Sequence, residues 1–530
     1  MSDPAADAPF DSPVTLDGRP LTIDEIESVA RGHRPVELAE ASRRAMDRAR
    51  AIVEAAAVGP DAVYGVNTGF GSLSRQRIDA DAIADVQINI VRSHAAGVGA
   101  PLPKDLVRAM MVLLAASLAR GRSGARPLVV DGLLAMLAAD ITPVVPGVGS
   151  VGASGDLAPL SHVALALIGE GPVTHAADPN PMPAADAMRA CGISPVALGA
   201  KEGLALLNGT HLMAAMGALA VADAERLIDA SIGAAAMAVD ASRASAGPFD
   251  ARIHAARTQP GQQRVASALR TMLAGSAILE SHRVDDPRVQ DPYCLRCIPQ
   301  VIGAVVDAVA SVRTVIDREL GAVTDNPLVF LDDDAANAPV SGDIVSGGNF
   351  HGMPLAIALD HLSIALCHLA GISERRTYWL LAAADPQNPL PPHLSPVPGL
   401  HSGLMITQYT AAACVNELQV LAAPASVGNI PTSAGIEDYN SFGPTAGHQA
   451  RQAIERVRTV IAIEMLVMSE GLDGQRPERS GAHVEDLHTR IRTHVPRLVA
   501  DRPPSPDIAV LEAHIATGGL ASGAWSAAEA

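Results

Sequence analysis

Long stretches with an apolar residue at every third or fourth position run through the second half of the chain. The apolar positions are Ile302, Val305, Val306, Val309, Val312 and Ile316 in one stretch, and Ile454, Val457, Ile461, Met465 and Met468 in another. This spacing places the apolar side chains on one face of an α-helix. A third stretch, 404–421, contains neither proline nor glycine. Because alternating strand patterns are short and rare, the sequence predicts a mainly α protein built on long bundled helices.

Proline and glycine cluster between these helical stretches, as they do in loops. The run at 178–183, Asp-Pro-Asn-Pro-Met-Pro, predicts a loop near a change of domain. The 530 residues are enough for several domains. We therefore predict an N-terminal domain over 1–200 and a domain of long bundled helices over 201–530.

The formal net charge of −18 restricts the possible partners. Nucleic acids and anionic membranes bind basic faces, so the charge argues against both and leaves a small zwitterionic substrate compatible. The N-terminal residues have neither a basic start nor an apolar stretch, which argues against a secretory signal. The apolar runs 109–116 and 212–222 are shorter than the roughly 18 residues of a membrane span. We expect a soluble cytoplasmic protein.

The segment 149–159, Gly-Ser-Val-Gly-Ala-Ser-Gly-Asp-Leu-Ala-Pro, can form an electrophile from its own backbone. The Gly155 nitrogen would attack the Ala153 carbonyl carbon, and two waters would leave, one at that carbonyl and one from the Ser154 hydroxyl. The product is a 4-methylidene-imidazol-5-one ring. Glycine is needed at the attacking position because only a residue without Cβ lets its nitrogen approach so closely. The alternative is an ordinary glycine-rich turn.

The same region contains a pattern typical of dinucleotide sites. Gly147, Gly149 and Gly152 satisfy G-x-G-x-x-G. Such a site follows a buried strand, however, and Pro143 and Pro146 interrupt the approach to these glycines. We therefore expect no NAD at this position.

Two further patterns suggest metals without the context that a metal site needs. Cys294 and Cys297 form a single C-x-x-C, and no second pair completes four zinc ligands. His361 and His368 are two helical turns apart, about 10.5 Å, which is too far for one ion. We predict no metal.

Six further motifs accompany the 149–159 segment. They lie at 64–71 (Tyr-Gly-Val-Asn-Thr-Gly-Phe-Gly), 207–210 (Leu-Asn-Gly-Thr), 290–296, 324–328, 346–351 and 437–438. In order and spacing, the set resembles the aromatic amino-acid ammonia-lyases, the family of histidine, phenylalanine and tyrosine ammonia-lyases and related aminomutases. The resemblance runs from about residue 15 to about residue 480. It implies the ring at Ala153, Ser154 and Gly155, and a homotetramer whose active sites are each assembled from three chains.

Eliminating ammonia from an α-amino acid requires an electrophile for the amine and a base for the β-proton. The exposed methylidene would accept the amine covalently, so no pyridoxal phosphate is required. Tyr64 matches the family's catalytic tyrosine. A free tyrosine has a pKa of ~10, so Tyr64 would need positive potential, which helix N-termini could supply, to act near neutrality. The alternative for Tyr64 is a half-buried structural role.

Arg296 suits the carboxylate of an amino-acid substrate. Its guanidinium can bind a carboxylate through two parallel hydrogen bonds. An internal ion pair with Asp291 or Glu319 is the alternative.

The resemblance assigns five more residues to the site. It places Tyr293, as a catalytic residue, and Gln290 in the pocket of Arg296, sets Asn208 against the ring, and completes the wall with Asn349 and Phe350. Taken alone, Asn208 could cap a turn and Phe350 could belong to the core.

Two residues point to the substrate. His94 follows Ser93, as in histidine ammonia-lyases, and Glu437 matches their acidic residue. An imidazole offers one donor and one acceptor, so a histidine and a carboxylate can satisfy both of its nitrogens. We therefore predict L-histidine as substrate, with trans-urocanate and ammonia as products. A structural role is the alternative for His94.

Three positions depart from the histidine type. Ile436 stands where relatives usually carry glutamine, Tyr439 begins a Tyr-Asn-Ser-Phe run in place of His-Val-Ser-Met, and His401 stands where asparagine is common. These changes leave open a tyrosine or phenylalanine ammonia-lyase, or an aromatic 2,3-aminomutase with the same prosthetic group. A helical oligomer without catalytic activity is a further alternative.

Overall fold

The computed structural model describes residues 12–69, 71, 75–176, 178–332, 340–383 and 385–525. Over these ranges the chain forms nineteen α-helices and nine short strands, so the predicted mainly α fold is confirmed. The described residues divide into two compact units. Unit 1 comprises 1–219, 313–359 and 425–448, and unit 2 comprises 220–312, 360–424 and 449–530.

The helices are numbered along the chain. They are α1 (Ile23–Ala30), α2 (Glu40–Val58), α3 (Ile83–His94), α4 (Lys104–Ala119), α5 (Pro127–Ala138), α6 (Leu157–Leu167), α7 (Ala184–Ala190), α8 (Glu202–Leu207), α9 (His211–Ala241), α10 (Ala251–Ala255), α11 (Pro260–Leu273), α12 (Ala277–Ser281), α13 (Tyr293–Arg296), α14 (Ile298–Glu319), α15 (Met353–Leu381), α16 (Met405–Leu421), α17 (Gly443–Gly474), α18 (Ala482–His494) and α19 (Ser505–Ala516). The three stretches predicted to be helical lie in α14, α16 and α17.

All nine strands that the structure describes lie in unit 1. They are β1 (Val14–Leu16), β2 (Val36–Leu38), β3 (Val98–Pro101), β4 (Ile141–Pro143), β5 (Pro146–Val148), β6 (Pro172–His175), β7 (Asp178–Pro183), β8 (Leu328–Leu331) and β9 (Gly342–Val345). Strands β1 and β2 pair in parallel, whereas β3 with β5, β4 with β6 and β7, and β8 with β9 are antiparallel. The β8–β9 ladder pairs Leu328 with Val345.

The proline-rich run 178–183 is not the predicted loop. It forms β7, the outer strand of the order β4-β6-β7. An outer strand tolerates proline because one of its edges needs no ladder hydrogen bonds. The prolines therefore mark the edge of a sheet, and the division predicted near residue 200 lies within unit 1.

The units are not contiguous in sequence, whereas the predicted domains were. Unit 1 contains all of 1–200 that the structure describes, but it also takes up 313–359, which carries β8 and β9, and 425–448. The chain passes between the units five times, four times inside a helix (α9, α14, α15 and α17) and once after α16, between residues 424 and 425. A division inside continuous helices leaves no loop signal in the sequence.

Helices α14 and α15 are long and apolar enough to span a membrane by length and composition, although neither contains the apolar runs considered above. In their most apolar 18-residue windows, 44% and 67% of the residues, respectively, are buried inside the protein. The buried residues of α14 include Ile302, Val309 and Ile316, which belong to its periodic apolar stripe. Such a stripe covered by protein is typical of a bundle helix.

Candidate active site

The 149–156 loop in unit 1 holds two glycines in the left-handed region, Gly152 at φ +66° and Gly155 at φ +73°. A Cβ at position 155 would lie 2.2 Å from the carbonyl oxygen of Gly209. The amide of Asp156 donates to that same oxygen at 2.7 Å. Position 155 therefore admits only glycine, because the turn at 208–210 packs directly against its backbone.

Asp156 anchors the loop to the start of α9. Its buried carboxylate accepts hydrogen bonds from the amides of Leu212 and Met213, at 2.9 and 3.1 Å, and from the Ser150 hydroxyl at 3.1 Å. Burial raises the pKa of Asp156 to about 7, although these donors oppose the rise. No sequence signal singled out Asp156; its place directly after Gly155 is the one clue.

The Ser154 hydroxyl donates to Glu437 Oε1 at 2.9 Å, which joins two predicted site residues that are 283 positions apart. The Thr432 hydroxyl donates to the other carboxylate oxygen of Glu437 at 3.2 Å. Farther along this segment, the Ser441 hydroxyl donates to the carbonyl of Gly152 at 2.9 Å. The segment that carries Glu437 is thus fixed to the loop that carries Ser154.

A cavity of about 450 Å³ opens beside Ser154 within unit 1. Five predicted site residues line it, namely Tyr64, His94, Ser154, Asn208 and Glu437. A second cavity of about 410 Å³ shares all of these except His94 and adds Ala153 and Phe350. Both cavities therefore meet at Ser154, Tyr64, Asn208 and Glu437.

Tyr64 is held by the segment that follows it. Asn67, which is buried, accepts from the Val63 amide and donates to the carbonyls of Ala56 and Asp61. The amide of Gly71 donates to the Tyr64 hydroxyl at 3.4 Å. These contacts place the hydroxyl in the wall of both cavities.

Within this chain the charges near Tyr64 oppose its ionisation. Burial raises the pKa of the Tyr64 hydroxyl above its usual value, and the carboxylates of Glu437 and Asp325 raise it further, whereas the Gly71 amide lowers it. Burial and two carboxylates therefore shift the pKa of Tyr64 in the direction opposite to the one expected from helix N-termini.

His94 ends α3, and its contacts select one tautomer. Nδ1 lies 2.9 Å from the carbonyl oxygen of Ile90 and 3.0 Å from the Ser93 hydroxyl. Since a carbonyl only accepts, Nδ1 carries the proton in the neutral ring and leaves Nε2 as an acceptor. In this tautomer, Nε2 of His94 is available to accept a hydrogen bond.

Asn208 closes α8, where its amide donates to the carbonyl of Leu204 at 3.0 Å. Its side-chain Oδ1 is buried and has no partner among the described residues. A buried acceptor without a partner is costly. Asn208 thus closes a helix through its backbone amide, and its side chain, which lines both cavities, carries a buried acceptor without a partner among the described residues.

Phe350 lines the second cavity, but Asn349 lines neither. Asn349 is exposed, and its side-chain amide donates to the carbonyl of Val323 at 3.3 Å. A role for Asn349 in the site stays a prediction.

Gln290, Tyr293 and Arg296 belong to unit 2. Gln290 lines a separate cavity of about 670 Å³ in that unit, Tyr293 is 71% exposed, and the Arg296 guanidinium lies 4.8 Å from the centre of the Tyr293 ring. Asp291 instead accepts from the Ser245 amide at 2.8 Å. Within unit 2 this ring contact, rather than an ion pair with Asp291, is the described contact of Arg296. The catalytic and binding roles of these three residues stay predictions.

Two of the departures from the histidine type, Ile436 and Tyr439, line the second cavity. His401 lies in unit 2, where its Nδ1 is 3.8 Å from an oxygen of Asp501. Of the three departures, those at 436 and 439 therefore lie in the wall of a cavity beside Ser154.

The patterns that suggested cofactors or metals form other structures. The helix after the glycine run, α6, begins at Leu157 rather than at Gly152, and the strand before it, β5, has three residues. Cys294 and Cys297 are free thiols. Among the residues that the structure describes, no group of three or more His, Cys, Asp or Glu side chains is arranged to hold a metal ion.

The residues around Ser154 fit the ring that the resemblance implies. Position 155 excludes a side chain, as an attacking glycine requires. Ala153 and Ser154 face a cavity, so a methylidene derived from Ser154 would be open to a substrate. Asn208, whose buried Oδ1 has no partner among the described residues, lines that cavity.

Comparisons with known proteins agree over nearly the whole chain. A family model described as "Aromatic amino acid lyase" matches residues 21–493. A histidine ammonia-lyase of Anaeromyxobacter sp. (strain K) is 49% identical over 511 residues, 95% of this chain and 99% of that protein. Among solved structures, a tyrosine aminomutase from Streptomyces globisporus superposes with a TM-score of 0.89 at 34% identity, covering 96% of this chain and 98% of that chain. A histidine ammonia-lyase from Trypanosoma cruzi has a TM-score of 0.87 at 36% identity, covering 98% and 95%.

Proposed function

This chain belongs to the aromatic amino acid lyase family, and we infer that it is a carbon–nitrogen lyase that eliminates ammonia from L-histidine to give trans-urocanate. The observation that carries the inference is the shared cavity of Tyr64, His94, Ser154 and Glu437 in unit 1. Near-full-length identity of 49% to a histidine ammonia-lyase supports the same substrate.

The electrophile is the ring formed from Ala153, Ser154 and Gly155, without metal, pyridoxal phosphate or NAD. Gly155 supplies the attacking nitrogen, Ala153 the carbonyl carbon, and Ser154 the carbons of the methylidene. Once formed, the ring provides an electrophilic carbon that makes the substrate amine a better leaving group. The tight contact between Gly155 and Gly209 supports this, since it keeps the attacking residue free of a side chain.

Glu437 and His94 divide the polar groups of histidine between them. Glu437 contacts Ser154 itself, so its carboxylate is placed for the α-ammonium group. His94 offers Nε2 as an acceptor for the imidazole N–H. This division differs from the sequence-based expectation that both residues bind the imidazole.

Tyr64 takes the β-proton. Its raised pKa in the free chain comes partly from the Glu437 carboxylate. A cationic ammonium group bound at Glu437 offsets that negative charge, so Tyr64 ionises more readily once substrate is bound. Substrate binding and activation of the base are thereby coupled.

The complete site takes Gln290, Tyr293 and Arg296 from other chains of a homotetramer. Tyr293 is exposed, and neither it nor Arg296 lines a Ser154 cavity that the structure describes. Co-expression of Ser154→Ala and Tyr293→Phe chains tests the sharing. If the two residues come from different chains, about a quarter of the sites in random hybrids are intact. Hybrids without activity would show that both come from one chain.

We place the protein in the cytoplasm, where its five free cysteines stay reduced. With a net charge of −18, its partner is a small amino acid rather than nucleic acid or a membrane surface.

A second candidate function is elimination from tyrosine or phenylalanine, or a 2,3-amino shift on one of them. It is favoured by Ile436 and Tyr439 in the second cavity and by the tyrosine aminomutase among the solved structures. Incubation with histidine, tyrosine and phenylalanine, followed by chromatography of unsaturated acids and β-amino acids, separates the outcomes. Urocanate formation from histidine in preference to the other two reactions supports the first function. A β-amino acid as main product would overturn it.

The ring itself is tested by intact mass. The purified protein should be lighter than its sequence by two waters, about 36 Da, and Ser154→Ala should remove the deficit together with the activity. An active protein of full mass contradicts the ring.

A further inference from the structure

A buried ion pair lies just outside the residues of the proposed site. Lys201 Nζ is 2.5 Å from Asp325 Oδ2, and both side chains are almost completely buried. Lys201 precedes α8 and holds a left-handed conformation, φ +65°, which is unfavourable for a residue with a side chain. The buried ion pair and the unfavourable backbone conformation thus occur at the same residue, directly before α8.

The pair ties together the two elements beneath Tyr64. At Gly65, the next residue, a Cβ would lie 2.5 Å from Leu204 Cδ2 of α8 and 3.4 Å from Pro327 Cδ. Lys201 leads into the first of these elements, and Asp325 belongs to the second. The ion pair thus fixes the relative position of the two surfaces on which the Tyr64 backbone rests.

The same two elements continue into the cavity walls. Asp325 Oδ1 accepts from the Asn326 amide at 2.6 Å, and Asn326 Oδ1 accepts from the Gly347 amide at 2.7 Å. Asn326 and Gly347 both line the second cavity. At the other end, α8 runs into Asn208, which lines both cavities. A displacement of the pair would therefore move three parts of the site: Tyr64, the wall at Asn326 and Gly347, and Asn208.

The pair also balances charge near Tyr64. The Asp325 carboxylate raises the pKa of Tyr64, and the ammonium of Lys201 has the opposite sign. The other titratable groups in the walls of the two cavities are His94, His351, Glu437, Asp438 and Tyr439. Of the described wall and supporting groups, Lys201 is thus the fixed cation nearest to the Asp325 charge.

We propose that Lys201 and Asp325 are positioning residues for the elimination. Their ion pair fixes the support of Tyr64 and offsets the buried carboxylate beside it. The proposal rests on the proposed function, in which Tyr64 is the base.

Three variants separate charge from mere structure: Lys201→Met, Asp325→Asn and the double variant. With Tyr64 as the base, activity should rise with pH as its hydroxyl ionises. Loss of the Lys201 cation should move the pH midpoint of this rise upward by about half a pH unit. Loss of the Asp325 carboxylate should move the same midpoint downward by a similar amount. The double variant should return close to wild type. A purely structural pair would lower kcat in every variant without shifts of opposite sign.

The test remains possible if one of the single variants fails to fold. Each single variant leaves one unpaired buried charge, the Asp325 carboxylate in Lys201→Met and the Lys201 ammonium in Asp325→Asn, so either can fail to fold, whereas the double variant removes both charges and is tolerated better. The comparison of a single variant that folds with the double variant then carries the test: relative to the double variant, the pH midpoint of Tyr64 ionisation should be higher in Lys201→Met and lower in Asp325→Asn. Equal midpoints in these two proteins overturn the proposal.

Two controls keep this outcome distinct from a failure of the proposed function. The ionisation of Tyr64 is followed without turnover, as the tyrosinate absorbance of each protein minus that of its Tyr64→Phe partner. The same opposite shifts are expected there even if histidine is not the substrate. Arg108→Met removes a buried cation of α4 that lies 3.1 Å from Asp140, and it should leave the midpoint unchanged.

Discussion

Replacement of Gly155 by alanine tests the geometry on which ring formation depends. The backbone there has φ +73°, and a side chain in the left-handed region costs about 1–2 kcal/mol. The new Cβ would also lie 2.2, 2.4 and 2.7 Å from three backbone atoms of Gly209, so the 208–210 turn must move. That movement breaks the 2.7 Å hydrogen bond from the Asp156 amide, at a further cost of about 1 kcal/mol. We expect Gly155→Ala to cost about 3 kcal/mol in all.

Gly192→Ala is the matched control, because its φ is +71° and nothing lies within 4 Å of the added Cβ. It should cost only the backbone part, about 1–2 kcal/mol. For cooperative unfolding of 530 residues, the difference of about 1–2 kcal/mol between the variants corresponds to about 1–2 °C in Tm. By intact mass, Gly192→Ala should keep the deficit of about 36 Da and Gly155→Ala should lose it. Equal Tm values and equal deficits would refute the reasoning.

Three further predictions concern the charges of unit 1. Tyr64→Phe should lower kcat by about 10²–10⁴-fold and keep the ring mass; activity within tenfold of wild type contradicts the base. Glu437→Gln should raise KM for histidine and lower the pH of Tyr64 ionisation in the tyrosinate difference spectrum, because the carboxylate raises that pKa. Burial lowers the pKa of His211 to about 3, so its contribution to stability, present above pH ~6.5, is lost as the pH falls toward 3. Between pH 7 and pH 5 the wild type should lose about 2 kcal/mol that His211→Leu retains; identical pH dependence of thermal unfolding in the two proteins contradicts this.

The helices were predictable because their signal is local. The apolar periods at 302–316 and 454–468 required only neighbouring residues to be read, and both lie in helices. The contact between Ser154 and Glu437 joins positions 283 apart, and nothing local predicts it. Glu437 entered the site through resemblance alone.

Buried charges were the main omission. Asp156, Lys201 and Asp325 support the site, yet a single charged residue in a sequence has no period that reveals burial. Lys201 and Asp325 are 124 positions apart, and Asp156 accepts from backbone amides 56 and 57 positions away. Their position in or beside a motif was the one sign in the sequence that two of them support the site: Asp156 follows Gly155, and Asp325 lies within the 324–328 motif.

The electrostatics of the two Ser154 cavities leave one group of the substrate unpaired. Glu437 can bind the ammonium group of an amino acid, and His94 can bind its side chain. The walls that the structure describes contain no lysine or arginine for the carboxylate. A carboxylate shielded from water without a cation is costly, and a guanidinium is the group best suited to it. Arg296, which has no carboxylate partner within unit 2 among the described contacts, has the required chemistry. The proposed sharing of the site between copies accounts for both observations, the described walls without a lysine or arginine and the arginine without a carboxylate partner among the described contacts of unit 2.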